Sequence, residues 1–219
     1  MQSQHIKGYV LAGGASSRFG EDKALIELGG VPMILRMCEL LRALVGEAIL
    51  IAPPERYAGF GLKNVADGWP GEGPLGGILT ALIATRDANA QGARAERPSQ
   101  EPERQWNIVL GCDMPFLTRE WLTYLTERAS ASDAEVIAPR SAKGLEPLSS
   151  CWRTSAISKL QSVFNEGVRK VIRAMNSLKT ETIDETDWKR FDSAGRLFWN
   201  MNTLVDYEEA KRILAVEQA

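Results

Sequence analysis

The sequence predicts an α/β fold: a doubly wound, mostly parallel sheet with a small antiparallel β extension in the C-terminal half. Three observations lead there. Short apolar runs alternate along the chain with stretches of helical period. The run Ala48–Ala52 is uniformly apolar rather than alternating, as a strand buried on both faces must be. In the second half, two strand-like runs flank the turn Lys143-Gly144. A chain of 219 residues is read as one domain, 1–219.

Taken in order, Ile6–Leu11 reads as the first strand, followed by a polar, glycine-rich loop and a helix over Pro32–Val45. Pro32 suits the first helical position and Gly46 the exit. Ala48–Ala52 is a short buried strand stopped by Pro53-Pro54. Asn64–Asp67 leads into the loop W-P-G-E-G-P-L-G-G and an apolar helix from Ile78 to about Thr85. Residues 86–105 hold no large apolar side chain before Trp106, and their composition predicts a mobile surface insertion. The core resumes with W-N-I-V-L-G-C-D-M-P-F-L, a strand ending at Asp113, then a helix capped by Thr118 with Glu120 in its first turn. Ala134–Pro139 and Pro147–Trp152 are the two strands of the extension, and helices are predicted over Ser155–Asn165 and Val168–Leu178. The last segment, L-F-W-N-M-N-T-L-V-D-Y-E-E-A-K-R-I-L, reads as a strand, a polar turn and a helix, with Thr203 and Asp206 forming a T-x-x-D cap.

Composition removes several function classes. Net charge is -2 and the pI near 5.6, which argues against a nucleic-acid or anionic-membrane surface. No apolar run has the length of a membrane span, and the start M-Q-S-Q-H is polar. Cys38, Cys112 and Cys151 are odd in number and widely spaced, so free thiols in a reducing cytoplasm are expected. The one histidine, His5, is near the terminus, which leaves Ser-His-Asp and Cys-His systems without a base. The six tryptophans are scattered and form no stacking platform.

The chemistry concentrates in V-L-A-G-G-A-S-S-R-F-G-E-D-K-A-L, Val10 to Leu25. A strand feeding Gly13-Gly14 leaves backbone N–H groups accessible, and Arg18 and Lys23 add two cations, a combination suited to polyphosphate. The loop matches neither the P-loop, which needs Ser or Thr after its Lys where this chain has Ala24, nor G-x-G-x-x-G. Glycines alone would equally describe an ordinary βα turn. Asp113 ends an apolar strand, where ligands of open parallel sheets bind, and one carboxylate there can hold Mg²⁺ against phosphates. It can equally be a solvated strand-end residue. Asp67, before a glycine, is by itself a turn former. Asn200 and Asn202 either project side-chain amides from an extended segment or cap the last helix.

The longer pattern L-A-G-G-x-S-x-R-x-G-x-D-K-x-L resembles the signature loop of nucleotidyltransferases, and within them the molybdenum-cofactor guanylyltransferases (MobA type). D-G-W-P-G-E-G-P-L-G-G, C-D-M-P and N-M-N-T are similar to further elements of that family. The resemblance implies a Rossmann-like nucleotidyltransferase with an NTP-binding N-terminal half and an acceptor-binding C-terminal half. It implies transfer of GMP from GTP to a molybdopterin-type acceptor, with Mg²⁺ on Asp113. Lys23, Arg18 and the amides around Gly13 and Gly14 would hold phosphates, and Leu11, Ala12 and Asp67 the nucleoside. Asn200 and Asn202 would face the acceptor, and Arg153, Arg169 and Lys170 are further cations on that half. Cytidylyl transfer to the same cofactor, sugar-phosphate nucleotidyl transfer and a non-catalytic nucleotide binder are the alternatives. Partners implied are GTP, the pterin acceptor and molybdoenzymes or their chaperones, with a monomer expected and neither nucleic acid nor membrane. One departure stands out: Ala52-Pro53 lies where related enzymes often carry Asn, which bears on base recognition.

Overall fold

The structure, a computed structural model, describes residues 6–13, 22–92 and 105–217. Strand β1 (Ile6–Leu11) divides its side chains between two apolar layers, Ile6 and Val10 facing one and Tyr9 and Leu11 the other, as the two-residue period of a strand requires. A 3₁₀ turn at Lys23–Leu25 and a small antiparallel ribbon, β2 (Glu27–Leu28) with β3 (Val31–Pro32), lead into helix α1 (Met33–Val45). α1 buries Met33, Ile34, Met37, Cys38 and Leu41, one stripe at three- and four-residue steps. Gly46 ends it in the left-handed region at φ +83°, its N–H donating to the Arg42 carbonyl at 2.9 Å. Pro32 occupies the N-cap position, one before the first helical residue, and makes no side-chain capping bond.

Strand β4 (Ala48–Ile51) is wholly buried and is followed by a 3₁₀ segment, Pro54–Phe60. Next come β5 (Lys63–Val65), α2 (Pro74–Gly92), β6 (Trp106–Gly111) and α3 (Arg119–Ala131), the last capped by the Thr118 hydroxyl, which accepts from Trp121 N–H at 3.2 Å. The second half contributes β7 (Val136–Ser141), β8 (Gly144–Leu145), β9 (Ser149–Arg153), α4 (Ile157–Asn165), α5 (Val171–Met175), β10 (Thr180–Ile183), α6 (Glu185–Trp188) and α7 (Leu204–Glu217).

Among the described residues the main sheet runs β10-β7-β9-β6-β1-β4-β5, with β8 paired to β7. β9 lies antiparallel between β6 and β7, whereas β1 pairs in parallel with β4 and β6, β4 with β5, and β7 with β10. Side chains of α1, α3 and α7 pack on one face and those of α2, α4 and α5 on the other. This is the doubly wound sheet with a C-terminal antiparallel extension. From β1 the chain winds outward through β4 and β5, then returns to β6 on the other side of β1. The strand order therefore reverses beside β1, where open sheets of this kind bind ligands. Register aligns the carboxyl ends, with Leu11 opposite both Ile51 and Gly111, and Ile51 opposite Val65.

Several boundaries differ from expectation. α2 continues to Gly92, so residues 86–92 are helical and not part of an insertion; 93–104 lie outside the described residues. Ala, Arg and Gln are good helix formers, and exposed turns need no apolar face. The helix expected over Val168–Leu178 shortens to α5, and a 3₁₀ turn at Thr154–Ala156 precedes α4. Leu197–Asn202 is irregular, not a strand. Its backbone bonds run to individual partners, Trp199 N–H to Arg196 O and Met201 N–H to Asp113 O, both at 2.8 Å, while Leu197, Phe198 and Met201 are buried. No helix among the described residues is long and apolar enough to cross a membrane.

Candidate functional site

At the carboxyl edge, the end of β1 is tied to β4 by Ala12 N–H donating to Ile51 O at 3.1 Å. Gly13 follows at φ +112°, a conformation that favours glycine, and a Cβ there would sit 3.2 Å from Pro53 Cδ. The turn and the Pro53 segment are thus in close contact. Leu11 lies against α2: a Cβ at Gly77 would come within 3.0 Å of Leu11 Cδ1. Gly14 and Arg18 lie outside the described residues.

The loop re-enters at Asp22, whose backbone is extended and whose Oδ1 accepts from Ala24 N–H at 3.1 Å, capping the Lys23–Leu25 turn. The Lys23 ammonium donates to Asn202 Oδ1 at 2.8 Å, a contact between residues 179 apart in sequence. Asn202 is itself fixed. Its N–H donates to Asp206 Oδ2 at 2.9 Å, the same oxygen that accepts from Thr203 N–H at 2.7 Å, and the Thr203 hydroxyl in turn accepts from Asp206 N–H at 3.2 Å. This is the T-x-x-D cap read from the sequence. Against the opposing cost of burial, the Thr203 hydroxyl, which also donates to Asp206 Oδ2 at 2.9 Å, and the Asn202 and Thr203 N–H groups hold the Asp206 carboxyl below the usual range.

Asp113 follows the last residues of β6. Its carbonyl receives Met201 N–H, which brings the Asn200–Asn202 segment to the strand end. Burial raises its carboxyl pKa; the Lys23 charge and a backbone hydrogen bond oppose the rise. A Cβ at Gly111 would stand 2.9 Å from Asp113 Oδ1, so the carboxylate occupies space that only glycine leaves. The neighbouring Cys112 thiol is pushed up by burial and by the Asp113 and Asp22 carboxylates, which suits packing and not nucleophilic attack. Glu146, buried and hydrogen-bonded from the Ser141 hydroxyl at 2.6 Å, is raised by burial and also feels Asp113.

Asp67 builds the third loop. Its Oδ1 accepts from Trp69 N–H at 2.9 Å and lies 3.1 Å from the Thr80 hydroxyl, which accepts from Gly68 N–H at 3.0 Å. Here the turn-forming role of an Asp before Gly is observed directly. Glu72, between Gly71 and Gly73 in the left-handed region, pairs with Arg169, whose guanidinium lies over the Phe164 ring. Of the other two expected cations, Lys170 stands at the start of α5, and Arg153 does not belong to this edge. It stands opposite Trp106 at the start of β6, stacks 4.7 Å over that ring and bonds the Ser132 carbonyl. Asn200 points its amide at Phe198 O, 3.3 Å away, beside the stacked pair Phe116–Trp199 with centroids 5.5 Å apart.

Lys23, Asp113 and Asn202 therefore converge, Leu11, Ala12 and Gly13 border them, and Asp67 shapes an adjoining wall. Sequence reasoning missed Thr80, Glu146, and the partners of Asp22: Tyr57 OH donates to Asp22 Oδ2 at 2.7 Å and Arg56 Nε pairs with the same oxygen at 2.7 Å. The D-K pair in the signature loop was the available signal for Asp22. Two shallow surface hollows, one along α3 with Arg190 and one over Glu166–Arg173, include neither Lys23 nor Asp113.

Residues 8–180 match the family described as MobA-like NTP transferase domain. A protein named probable molybdenum cofactor guanylyltransferase from Carboxydothermus hydrogenoformans is 28% identical over 215 residues, covering 98% of this chain and 100% of that protein. One of the same name from Deinococcus radiodurans is 34% identical over 164 residues, 74% of this chain and 75% of that one. Among solved structures, molybdopterin-guanine dinucleotide biosynthesis protein A from Archaeoglobus fulgidus superposes with a TM-score of 0.78 at 23% identity, covering 96% of this chain and 99% of that one.

Proposed function

The chain belongs to the MobA-like NTP transferase family, and from that premise we propose that it transfers GMP from GTP to the terminal phosphate of a molybdopterin-type acceptor. An acceptor phosphate oxygen attacks the α-phosphorus of GTP, the bond from that phosphorus to the β-phosphate oxygen breaks, and pyrophosphate leaves with the electron pair. The products are molybdopterin guanine dinucleotide and pyrophosphate. A phosphate monoester is already anionic at neutral pH, so the attack needs no general base. That accords with the absence of a catalytic histidine or activated thiol among the described residues. What the protein must supply is alignment and neutralisation of charge.

One observation carries the reading: the Lys23 ammonium, bonded to Asn202 Oδ1, lies within the field of Asp113 beyond the end of β6. Lys23 binds the phosphates of GTP, with the backbone around Gly13 and Gly14 and, from the loop, Arg18. Leu11, Ala12 and the wall built by Asp67 bound the nucleoside, and Asn200 and Asn202 face the acceptor. Asp113 suits Mg²⁺: its carboxylate is desolvated, and Gly111 leaves it room. No group of three or more His, Cys, Asp or Glu able to cage a metal occurs among the described residues. A single carboxylate accords with an ion that arrives with the phosphates and keeps several waters. When bound, Mg²⁺ supplies charge neutralisation on the phosphate oxygens. The free thiols accord with a cytoplasmic reaction.

Ala52-Pro53 favours a second reading, cytidylyl transfer, because the polar contact that Asn makes to the base in related enzymes is absent. One lost hydrogen bond is about 0.5–1.5 kcal/mol, too little to reverse a preference set by pocket shape. The test offers equal GTP and CTP with Mg²⁺ and the molybdopterin acceptor, and measures pyrophosphate and the dinucleotide formed. Preferential GMP transfer is expected. Preferential CMP transfer overturns the base assignment, and nucleotide binding without pyrophosphate release overturns the transferase.

A further inference from the structure

We propose that Asp22 is a positioning residue for Lys23, anchored by Tyr57 and Arg56, so that the segment after β4 sets nucleotide affinity without touching the nucleotide. The inference rests on Lys23 being a phosphate ligand.

The turn that presents Lys23 is only three residues long. So short a 3₁₀ turn has little persistence of its own. Its internal bonds are Leu25 N–H to Asp22 O at 2.9 Å and Ile26 N–H to Lys23 O at 3.3 Å, with the Asp22 carboxylate capping Ala24 N–H. The direction of Lys23 therefore depends on where Asp22 is held. Asp22 is held firmly, its side chain 9% exposed, with Oδ2 shared between the buried Tyr57 hydroxyl and Arg56 Nε. Pro53, at the other end of the same segment, packs against Gly13. Both ends of the loop that carries Lys23 are thus braced by one stretch, Pro53–Tyr57.

Electrostatics gives the anchors a second task. A bare carboxylate next to Lys23 would compete with phosphate for the ammonium and repel the polyphosphate chain. Arg56 neutralises it and Tyr57 occupies the same oxygen, and the ammonium donates to the neutral amide oxygen of Asn202.

The test measures GTP affinity in the presence of Mg²⁺, without acceptor, by calorimetry for wild type, Lys23→Ala, Asp22→Asn, Tyr57→Phe and the pairs of each with Lys23→Ala. Lys23→Ala is expected to weaken GTP binding about tenfold or more. Asp22→Asn, which keeps the capping oxygen but turns a donor toward Arg56, is expected to weaken it about five- to tenfold, and Tyr57→Phe about threefold. In the Lys23→Ala background each should add less than twofold, because the group they act through is gone. In turnover, the KM for GTP should rise in Tyr57→Phe with the acceptor KM unchanged. Effects that multiply in the paired variants mean a structural role and overturn the inference. So does wild-type GTP affinity in Tyr57→Phe, which decides the matter if Asp22→Asn does not fold. If Lys23→Ala itself binds GTP normally, the phosphate role of Lys23 falls, and the inference falls with it.

Discussion

Replacing Gly111 by Ala perturbs the one point where strand packing and the Asp113 carboxylate compete for the same space. The added Cβ would fall 2.9 Å from Asp113 Oδ1 and 3.5 Å from Cβ and Cδ1 of Leu148. The leucine contacts are ordinary; the carboxylate contact is not. The backbone cannot easily retreat, because Gly111 N–H donates to Leu148 O at 2.9 Å and Gly111 is in register with Leu11 on β1. The carboxylate must therefore move by about 0.5 Å to recover normal separation. Overpacking of this kind costs about 1–3 kcal/mol, and the stiffer unfolded chain returns about 0.4–1 kcal/mol. A net loss of about 1–2 kcal/mol corresponds to a Tm lower by roughly 2–8 °C in a chain of this length. Because displacements of about 1 Å at a reacting centre can cost about a hundredfold, kcat should fall about tenfold. Calorimetric Tm and pyrophosphate release measure the two together. A lowered Tm with kcat within twofold of wild type would refute the role given to Asp113, since moving its carboxylate would then not matter.

Asp113→Asn should abolish transfer yet raise Tm at pH 7. Burial lifts the folded-state pKa above the ordinary 3.8, so the stability this group contributes is full below that value and is lost as pH rises through the folded pKa. The gain in Tm should accordingly shrink below about pH 4; a variant less stable than wild type at neutral pH contradicts this. Arg153→Ala should lower Tm by roughly 2–4 °C through loss of its stack on Trp106 and its bond to Ser132, leaving both KM values and kcat unchanged, as steady-state kinetics will tell. Thr80→Val leaves Gly68 N–H without its acceptor and Asp67 with only the Trp69 N–H as donor, costing about 1–3 kcal/mol. The KM for GTP should rise severalfold with the acceptor KM constant, and equal rises in both would detach the Asp67 loop from the nucleotide.

The parts of the molecule legible in the sequence are those governed by local rules. The stripe of α1, the exit at Gly46, the Thr118 cap and the Thr203–Asp206 cap depend on residues within one or two turns of each other, and all are present. The antiparallel extension was legible because Lys143-Gly144 marks the turn. Edge elements were harder: β5 and β10 are short and partly exposed, so no apolar run announces them. Residues 86–92 misled because composition was read for burial, and an exposed helical end needs none. In the site, Lys23 and Asp113 could be singled out because each sits at a strand or loop end with recognisable chemistry. The bonds from Tyr57 and Arg56 to Asp22 could not, since pairings across 34 and 35 positions leave no local pattern.

The contact between Lys23 and Asn202 explains why an amide, and not a carboxylate, serves at the far end of the chain. An amide offers one acceptor oxygen and two donors, and an ammonium offers three donors. On the proposed reading, Asn202 Oδ1 would therefore orient Lys23 while its NH₂ group still presents donors toward an anionic acceptor. A carboxylate at 202 would hold Lys23 by a full charge and repel the phosphate groups that the proposed reaction brings there. The capping bonds of Asp206 keep the amide in register with Asp113 through Met201. So α7, packed through Ala210 on the same apolar layer as α1, is what brings the second half of the chain to Lys23. On the proposed reading, the nucleotide and acceptor sides would not be two sites placed side by side, because the hydrogen bond from Lys23 to the neutral Asn202 amide links them.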